Sequence, residues 1–199
     1  GYVPGDGIGV VLVTKESLAL KNHCRIHGII RGSASNHVGK GNSITAPSIM
    51  AQKTVIISAM KDANVNAEEI TYVEAHGTGT SLGDPIEVEA LSQAFQRDTN
   101  RLQFCTIGSV KANIGHLEAA AGIASVIKVL LMMRHKEIPP QINLTQENPI
   151  IDFANSPFLL TRKKKSWEQR EGANSRIAGI SSFGFGGANC HMIMEEYPE

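Results

Sequence analysis

Apolar positions along the chain fall into blocks whose period changes, and the changes mark the elements. Val10-Val11-Leu12-Val13 is a continuous, largely β-branched run behind Gly1, Gly5, Gly7 and Gly9, the pattern of a strand buried on both faces. Ile26 to Ile30 predicts a neighbouring strand, with Lys15 to Cys24 as a polar connection between the two. Gly32 to Ser43 is rich in turn formers and predicts a surface or active-site loop. From Pro47 onward, Ile49, Met50, Val55, Ile56, Ala59 and Met60 recur at three- and four-residue spacings, predicting an amphipathic helix that ends near Ala63. Ile70 to Ala75 is a strand pattern that runs directly into His76-Gly77-Thr78-Gly79-Thr80. Asp84-Pro85-Ile86-Glu87 then offers a capping acceptor, a proline at the first helical position and a Glu three residues after the cap, so a helix is expected to about Arg97.

The same order recurs further on. Phe104 to Val110 predicts a strand, Lys111 to Gly115 a loop, and Leu117 to Arg134 a helix so apolar that it should lie between layers. Pro139 to Pro157 is broken by prolines and asparagines, and Arg162 to Lys165, with Trp167 and Glu168, predicts a solvated charged turn. Arg176 to Ser182 and Cys190 to Met194 predict two strands joined by the glycine turn Phe183 to Asn189. Strands alternating with helices and closed by a strand pair predict an α/β fold with a mixed sheet.

Composition narrows the function classes. A balance of 19 Lys+Arg against 19 Asp+Glu gives no general electrostatic case for nucleic acid or anionic membrane. Ile114 to Met133 carries His116, Glu118 and Lys128, so it predicts a core helix rather than a membrane span. Cys24, Cys105 and Cys190 fit neither a disulfide framework nor a CxxC metal site, and a reducing cytoplasm is expected. Gly1 to Thr14 has no leader character and is expected to start within a domain.

His76 and His116 each follow a predicted strand and precede a predicted helix, the place where ligand sites form in open α/β sheets. Two neutral imidazoles there can donate hydrogen bonds to an oxygen that becomes negative; they could equally bind a metal, although Glu74 and Glu118 form no recognised ligand pattern with them. Lys111 stands on the same loop as His116 and can hold a neighbouring group or bias imidazole protonation. Gly77 to Thr80 would admit an extended ligand arm against backbone and two hydroxyls, and neither GxxxxGK[ST] nor GxGxxG occurs. Phe183-Gly184-Phe185-Gly186-Gly187 is either a tight hairpin or a turn whose N–H groups face an oxyanion while the Phe185 ring closes a pocket. Cys190 next to His191 is not a catalytic pair, because strand alternation sends the two side chains to opposite faces.

Three ordered segments carry a family likeness: Val73 to Thr80 with Gly83-Asp84-Pro85, Gly108 to His116, and Gly184 to Asn189. Together they resemble the β-ketoacyl synthase family, and Pro139-Pro140 and Asn148-Pro149 to Phe158 resemble the ketosynthase domains of modular polyketide synthases. Ser125 stands where related bacterial fatty-acid enzymes carry a Glu.

The resemblance implies a thiolase-like fold of layered αβαβα type, with residues 1–31 at the end of the N-terminal ketosynthase half and residues 32–199 forming the C-terminal half. It implies an acyltransferase that performs decarboxylative Claisen condensation of a malonyl-type extender on acyl carrier protein with an enzyme-bound acyl chain. His76 and His116 then match the decarboxylation and enolate-stabilising histidines, and Lys111 the lysine between them. Phe185 matches the gatekeeper whose N–H joins the oxyanion hole. Thr78, Thr80 and Gly186 match substrate-binding positions, with Asp84 supporting. No cofactor or metal is expected to bind directly; the phosphopantetheine arm of the carrier presents the substrate. The nucleophilic cysteine belongs to the upstream half, the complete domain is expected to dimerise, and nucleic acid and membrane are not expected as partners. The alternative is a non-elongating module that only binds carrier protein or forms a dimer.

Overall fold

The computed structural model describes residues 2–39 and 47–198. Six strands form one mixed sheet in the order β1-β8-β7-β2-β3-β5. These strands are β1 (Ile29–His37), β2 (Ile70–Glu74), β3 (Cys105–Gly108), β5 (Phe158–Leu159), β7 (Ile177–Phe183) and β8 (Ala188–Glu195), and a separate pair joins β4 (Glu137–Ile138) to β6 (Lys165–Ser166). β7, β2, β3 and β5 run parallel to one another, whereas β8 is antiparallel to both β7 and β1. The α/β class and the closing strand pair are therefore as the hydrophobic pattern predicts.

On one face of the sheet lie α2 (Ile49–Ala63) and α3 (Gly83–Phe95). Val55, Ile56, Ala59 and Met60 of α2 and Leu91 and Phe95 of α3 pack there with Val73, Phe158 and Ile193. Ser48 caps α2 through a hydrogen bond accepted from Ala51 N, and Asn64 ends it in the left-handed conformation. Pro47 thus precedes the cap and is not the first helical residue. The other face carries α5 (Ala121–His135), whose Val129, Met132 and Met133 pack on Tyr72, Ala178, Ile180 and Met194. Burial of each Val, Leu, Ile, Phe or Met among them contributes about 1.5–3 kcal/mol, so the two clusters hold the layers together.

Several expectations change. Residues 10–13 form no strand: Ile8 and Leu12 are 93% and 96% exposed, and this segment runs along α5, with Gly9 against Ile123 and Ile127. A β-branched run becomes a strand only where a sheet edge receives it, and here the sheet edges are β1 and β5. Lys15 to Cys24 contains a short helix, α1 (Glu16–Lys21). The expected Ile26 to Ile30 strand begins at Ile29 and continues to His37, because antiparallel pairing with β8 overrides the turn-forming composition after Gly32; Lys40 to Ser43 lie outside the described residues. The segment Lys111 to Gly115 contains one helical turn, α4 (Lys111–Ile114), and a 3-10 turn at Glu118–Ala120 precedes α5. α5 is not enclosed on both sides, since its outer face lines an apolar groove of about 500 Å³ with Ile8, Ile114 and Leu117. Trp167, expected in a solvated turn, is only 2% exposed; its indole N–H donates to Thr71 Oγ1 at 2.9 Å.

β8 alternates as expected, with His191 fully buried and Cys190 on the other face. The His191 Nδ1 lies 3.0 Å from Ser181 Oγ, while Nε2 faces Gly179 and has no hydrogen-bond partner among the described residues. Burial lowers the pKa of His191 to about 3. Below the ordinary value of 6.5 the unfolded chain takes up a proton that the folded chain refuses, so this stabilisation is complete above pH 6.5 and is lost as pH falls toward 3. Chemical denaturation of His191→Asn between pH 6 and pH 4 is expected to give a stability slope flatter than the parent's by about 1.4 kcal/mol per pH unit.

Candidate active site

Because β2, β3 and β7 are parallel neighbours, their C-terminal ends share one edge of the sheet. The loop after β2 carries His76, the turn after β3 carries Lys111 and His116, and the hairpin after β7 carries Phe185 and Gly186. A cleft of about 840 Å³ opens there, lined by Thr78, Thr80, Asp84, Ser109, Lys111 and His116, together with residues 141–144 and 146–151.

The His76 loop is tied down by carboxylates. Glu87 of α3 accepts hydrogen bonds from His76 N at 2.7 Å and Gly77 N at 2.8 Å, one on each oxygen. Asp84 Oδ1 accepts from Gly79 N at 3.1 Å, and Thr80 Oγ1 accepts from Gly83 N at 3.1 Å and lies 3.3 Å from Thr78 Oγ1. Asp84 is therefore not the cap of α3, which begins at Gly83 without a side-chain cap; it braces the loop instead. Burial pushes the Glu87 carboxyl up to about 7 against the two N–H donors, and raises Asp84 as well.

The His76 and His116 rings meet edge to face, with centroids 5.4 Å apart and planes at 87°. Phe183 covers His76 at 5.7 Å, so the aromatic that packs on the pair is the last residue of β7. Phe185 is 83% exposed at the hairpin tip, and neither it nor Gly186 lines the cleft. The reading of the Phe185 ring as a pocket wall is thus corrected: the hairpin turns back into β8 at Ala188 and leaves the tip in solvent.

His116 is held by its main chain. Its N–H donates to Val3 O at 2.8 Å, its carbonyl accepts from Gly5 N at 3.0 Å, and Tyr2 lies edge-on to its ring at 5.2 Å. Gly5 is required there, since a Cβ would run into the Ile114 carbonyl. His116 Nδ1 accepts from Glu118 N at 2.9 Å, which places the proton of the neutral ring on Nε2. Burial, then Lys111, lowers the pKa of His116; the same causes, with His116 itself added, lower His76 to about 3. Lys111 is also lowered by burial, opposed by Glu87 and Glu74. At neutral pH His116, which lines the cleft, and His76, which meets it edge to face without lining the cleft itself, are both uncharged beside the Lys111 side chain, a set that stabilises charge developing on an oxygen.

Among the described residues no three His, Cys, Asp or Glu side chains gather as a metal site, and no helix is long and apolar enough to cross a membrane. The site residues that the sequence reading missed are Glu87, Phe183, Tyr2 and Gln141. Glu87 looks like the end of a capping box, Phe183 like the first residue of the glycine turn although it ends β7, and Tyr2 and Gln141 carry no motif. Gly77 has φ +48°, and a Cβ there would sit 2.8 Å from the Cβ of Ser109. Gly77→Ala is expected to cost about 1–3 kcal/mol of stability in urea denaturation by forcing the His76 loop away from the β3 turn.

Two family models match the chain: the β-ketoacyl synthase C-terminal domain over residues 27–145 and the ketoacyl-synthetase C-terminal extension over residues 148–199. Polyketide synthase PksL of Bacillus subtilis is 48% identical over 204 residues, covering 99% of this chain and 4% of that protein. Polyketide synthase ThaG of Burkholderia thailandensis is 48% identical over 198 residues, again covering 99% of this chain and 4% of that protein. The solved ketosynthase from module 6 of the bacillaene synthase of Bacillus subtilis superposes with a TM-score of 0.89 at 48% identity, covering 92% of this chain and 33% of its own. The chain spans a third of that structure and a small fraction of the curated relatives. On its sequence and its fold alike, it belongs to the β-ketoacyl synthase family, as the C-terminal part of a ketosynthase domain of the modular polyketide synthase type with a thiolase-like α/β fold.

Proposed function

We propose that this chain supplies the decarboxylation and enolate-stabilising groups for a decarboxylative Claisen condensation in a complete ketosynthase. The observation that carries the reading is the edge-to-face pair of neutral imidazoles, His76 and the cleft-lining His116, beside Lys111. A malonyl-type thioester on the phosphopantetheine arm of an acyl carrier protein enters the cleft past Thr78 and Thr80, with Asp84 holding their loop. As the carbon–carboxylate bond breaks and carbon dioxide leaves, its electron pair forms an enolate. The negative oxygen accepts hydrogen bonds from His116 Nε2–H and from His76, and Lys111 stabilises the charge through its field.

The enolate carbon then attacks an acyl thioester carried by a cysteine upstream of this chain. A new carbon–carbon bond forms, the cysteine thiolate leaves, and a β-ketoacyl thioester remains on the carrier. None of Cys24, Cys105 or Cys190 lines the cleft, which supports an upstream nucleophile. The main-chain N–H of Phe185 is assigned to the oxyanion of the acyl thioester, and the exposed hairpin tip leaves it open to the segment that bears the cysteine. Gly186 beside it keeps that approach clear, with nothing within 4 Å of its Cβ position. Residues 1–31 belong to the end of the N-terminal half in this reading and residues 32–199 to the C-terminal half, with β1 spanning the junction. The complete domain works as a homodimer in the cytoplasm. A module that only binds carrier protein has no use for two imidazoles kept neutral side by side, so the elongating reading is preferred.

In the complete domain, His76→Ala and His116→Ala are each expected to slow carbon dioxide release from a malonyl thioester by roughly 10²–10³-fold, the effect of losing one oxyanion donor. Parental rates in both would overturn the assignment. The 199-residue chain alone, incubated with an acyl thioester, is expected to form no acyl-enzyme by mass spectrometry.

A further inference from the structure

Glu74 has no part in the chemistry above, yet its side chain is fully buried two residues before His76. Three donors converge on it. Oε1 accepts from Val110 N at 2.6 Å, and Oε2 accepts from Tyr72 OH and Lys128 Nζ, each at 2.7 Å. Lys128 Nζ also donates to Tyr72 OH at 2.8 Å, closing a three-membered polar network under the sheet edge.

The donors come from different parts of the fold. Tyr72 shares β2 with Glu74, Val110 immediately precedes Lys111, and Lys128 belongs to α5, the helix that the His116 turn enters. Backbone pairing of β2 with β3 ends with Ala75 N donating to Gly108 O at 2.8 Å, so main-chain bonds between the two strands fix nothing beyond Gly108. From there on side chains take over: Gln141 Oε1 accepts from Ser109 N at 3.1 Å and Glu74 accepts from Val110 N. The Lys111–His116 segment is thus anchored to Glu74 at its start and, through Lys128, by the helix that follows it.

We infer that Glu74, oriented by Lys128 and Tyr72, is a positioning residue that sets Lys111 and His116 against His76. A buried carboxylate is costly to retain in a protein interior, and one whose main-chain partner among the described residues is the residue before Lys111 fixes geometry that packing alone would leave loose. The inference rests on the reading that the two histidines carry decarboxylation.

Two variants strike the same hydrogen bond from its two ends, in the complete ketosynthase. Glu74→Asp keeps the charge beside Lys128 but withdraws the carboxylate by one methylene from Val110 N. Val110→Pro removes the N–H itself at a residue whose φ of −62° already suits proline. With folding checked by circular dichroism, each is expected to lower kcat for carbon dioxide release from a malonyl thioester about 10- to 100-fold, with KM within about threefold, as misplacement of a reacting group does. Glu74→Gln combined with Lys128→Met retains an oxygen for Val110 N–H without stranding a charge, and is expected to recover at least about tenfold over Glu74→Asp. Parental kcat in either folded single variant, or a loss confined to KM, overturns the inference; where one variant does not fold, the other decides. His76→Ala run in the same assay separates the failures, because parental activity there sinks the functional reading rather than the role of Glu74.

Discussion

The site depends on one topological constraint, the parallel run of β7, β2 and β3 through the middle of the sheet. Parallel neighbours deliver their C-terminal ends to the same edge, so three loops far apart in sequence emerge side by side. Both helical layers serve that arrangement. α2 and α3 clamp one face through Val55, Ile56, Leu91 and Phe95, while α5 clamps the other through Val129 and Met133. What the sheet does not do is set the loops to within the ~0.5 Å that a catalytic constellation needs. That task falls to side chains reaching backbone N–H groups: Glu87 on the first loop, Gln141 and Glu74 on the second, and Asp84 at the outer turn.

The electrostatics follow from the same burial. Desolvation keeps both imidazoles uncharged, and Lys111 reinforces this by repelling a second positive charge. Glu87 moves the other way. As pH rises above its ordinary 4.5, the unfolded chain ionises this group while the folded chain resists up to about 7, so stability falls with rising pH in that window. Buried histidines such as His76 and His191 lose stability with falling pH over a range that overlaps it. The two trends oppose each other between about pH 4.5 and 6.5, and a site crowded with buried titratable groups is less acid-sensitive than a count of its histidines suggests.

Much of this was legible in the residues. The Val-, Tyr- and Thr-rich run at Ile70 to Ala75, the helical spacing from Ile49 and the alternation that separates Cys190 from His191 all follow from patterns a few residues long. The pairing of His76 with His116 was legible because both follow strands, and parallel order then brings them together. The failures share a cause in long-range context. Gly32 to His37 looks like a loop until β8 offers it a partner, and Val10 to Val13 looks like a strand although neither sheet edge receives it. Trp167 looks exposed among lysines, yet Thr71 and Tyr72 of β2 provide its hydrogen-bond acceptor and its ring contact. Glu87 was missed because a carboxylate at a helix start has a local explanation, and only the fold shows that its oxygens reach back to the preceding loop.

The main-chain bonds between His116 and residues 3 and 5 bear on how such domains recombine. A histidine read as part of the downstream half takes both of its backbone partners from a segment more than a hundred positions earlier, and Tyr2 adds a ring contact and a hydrogen bond to Glu118. Chimeras that join halves of two ketosynthases between residue 5 and β1 would preserve every strand pair of the sheet and still mismatch this seam. A junction upstream of Tyr2 would carry the histidine and its backbone partners together as one inherited unit.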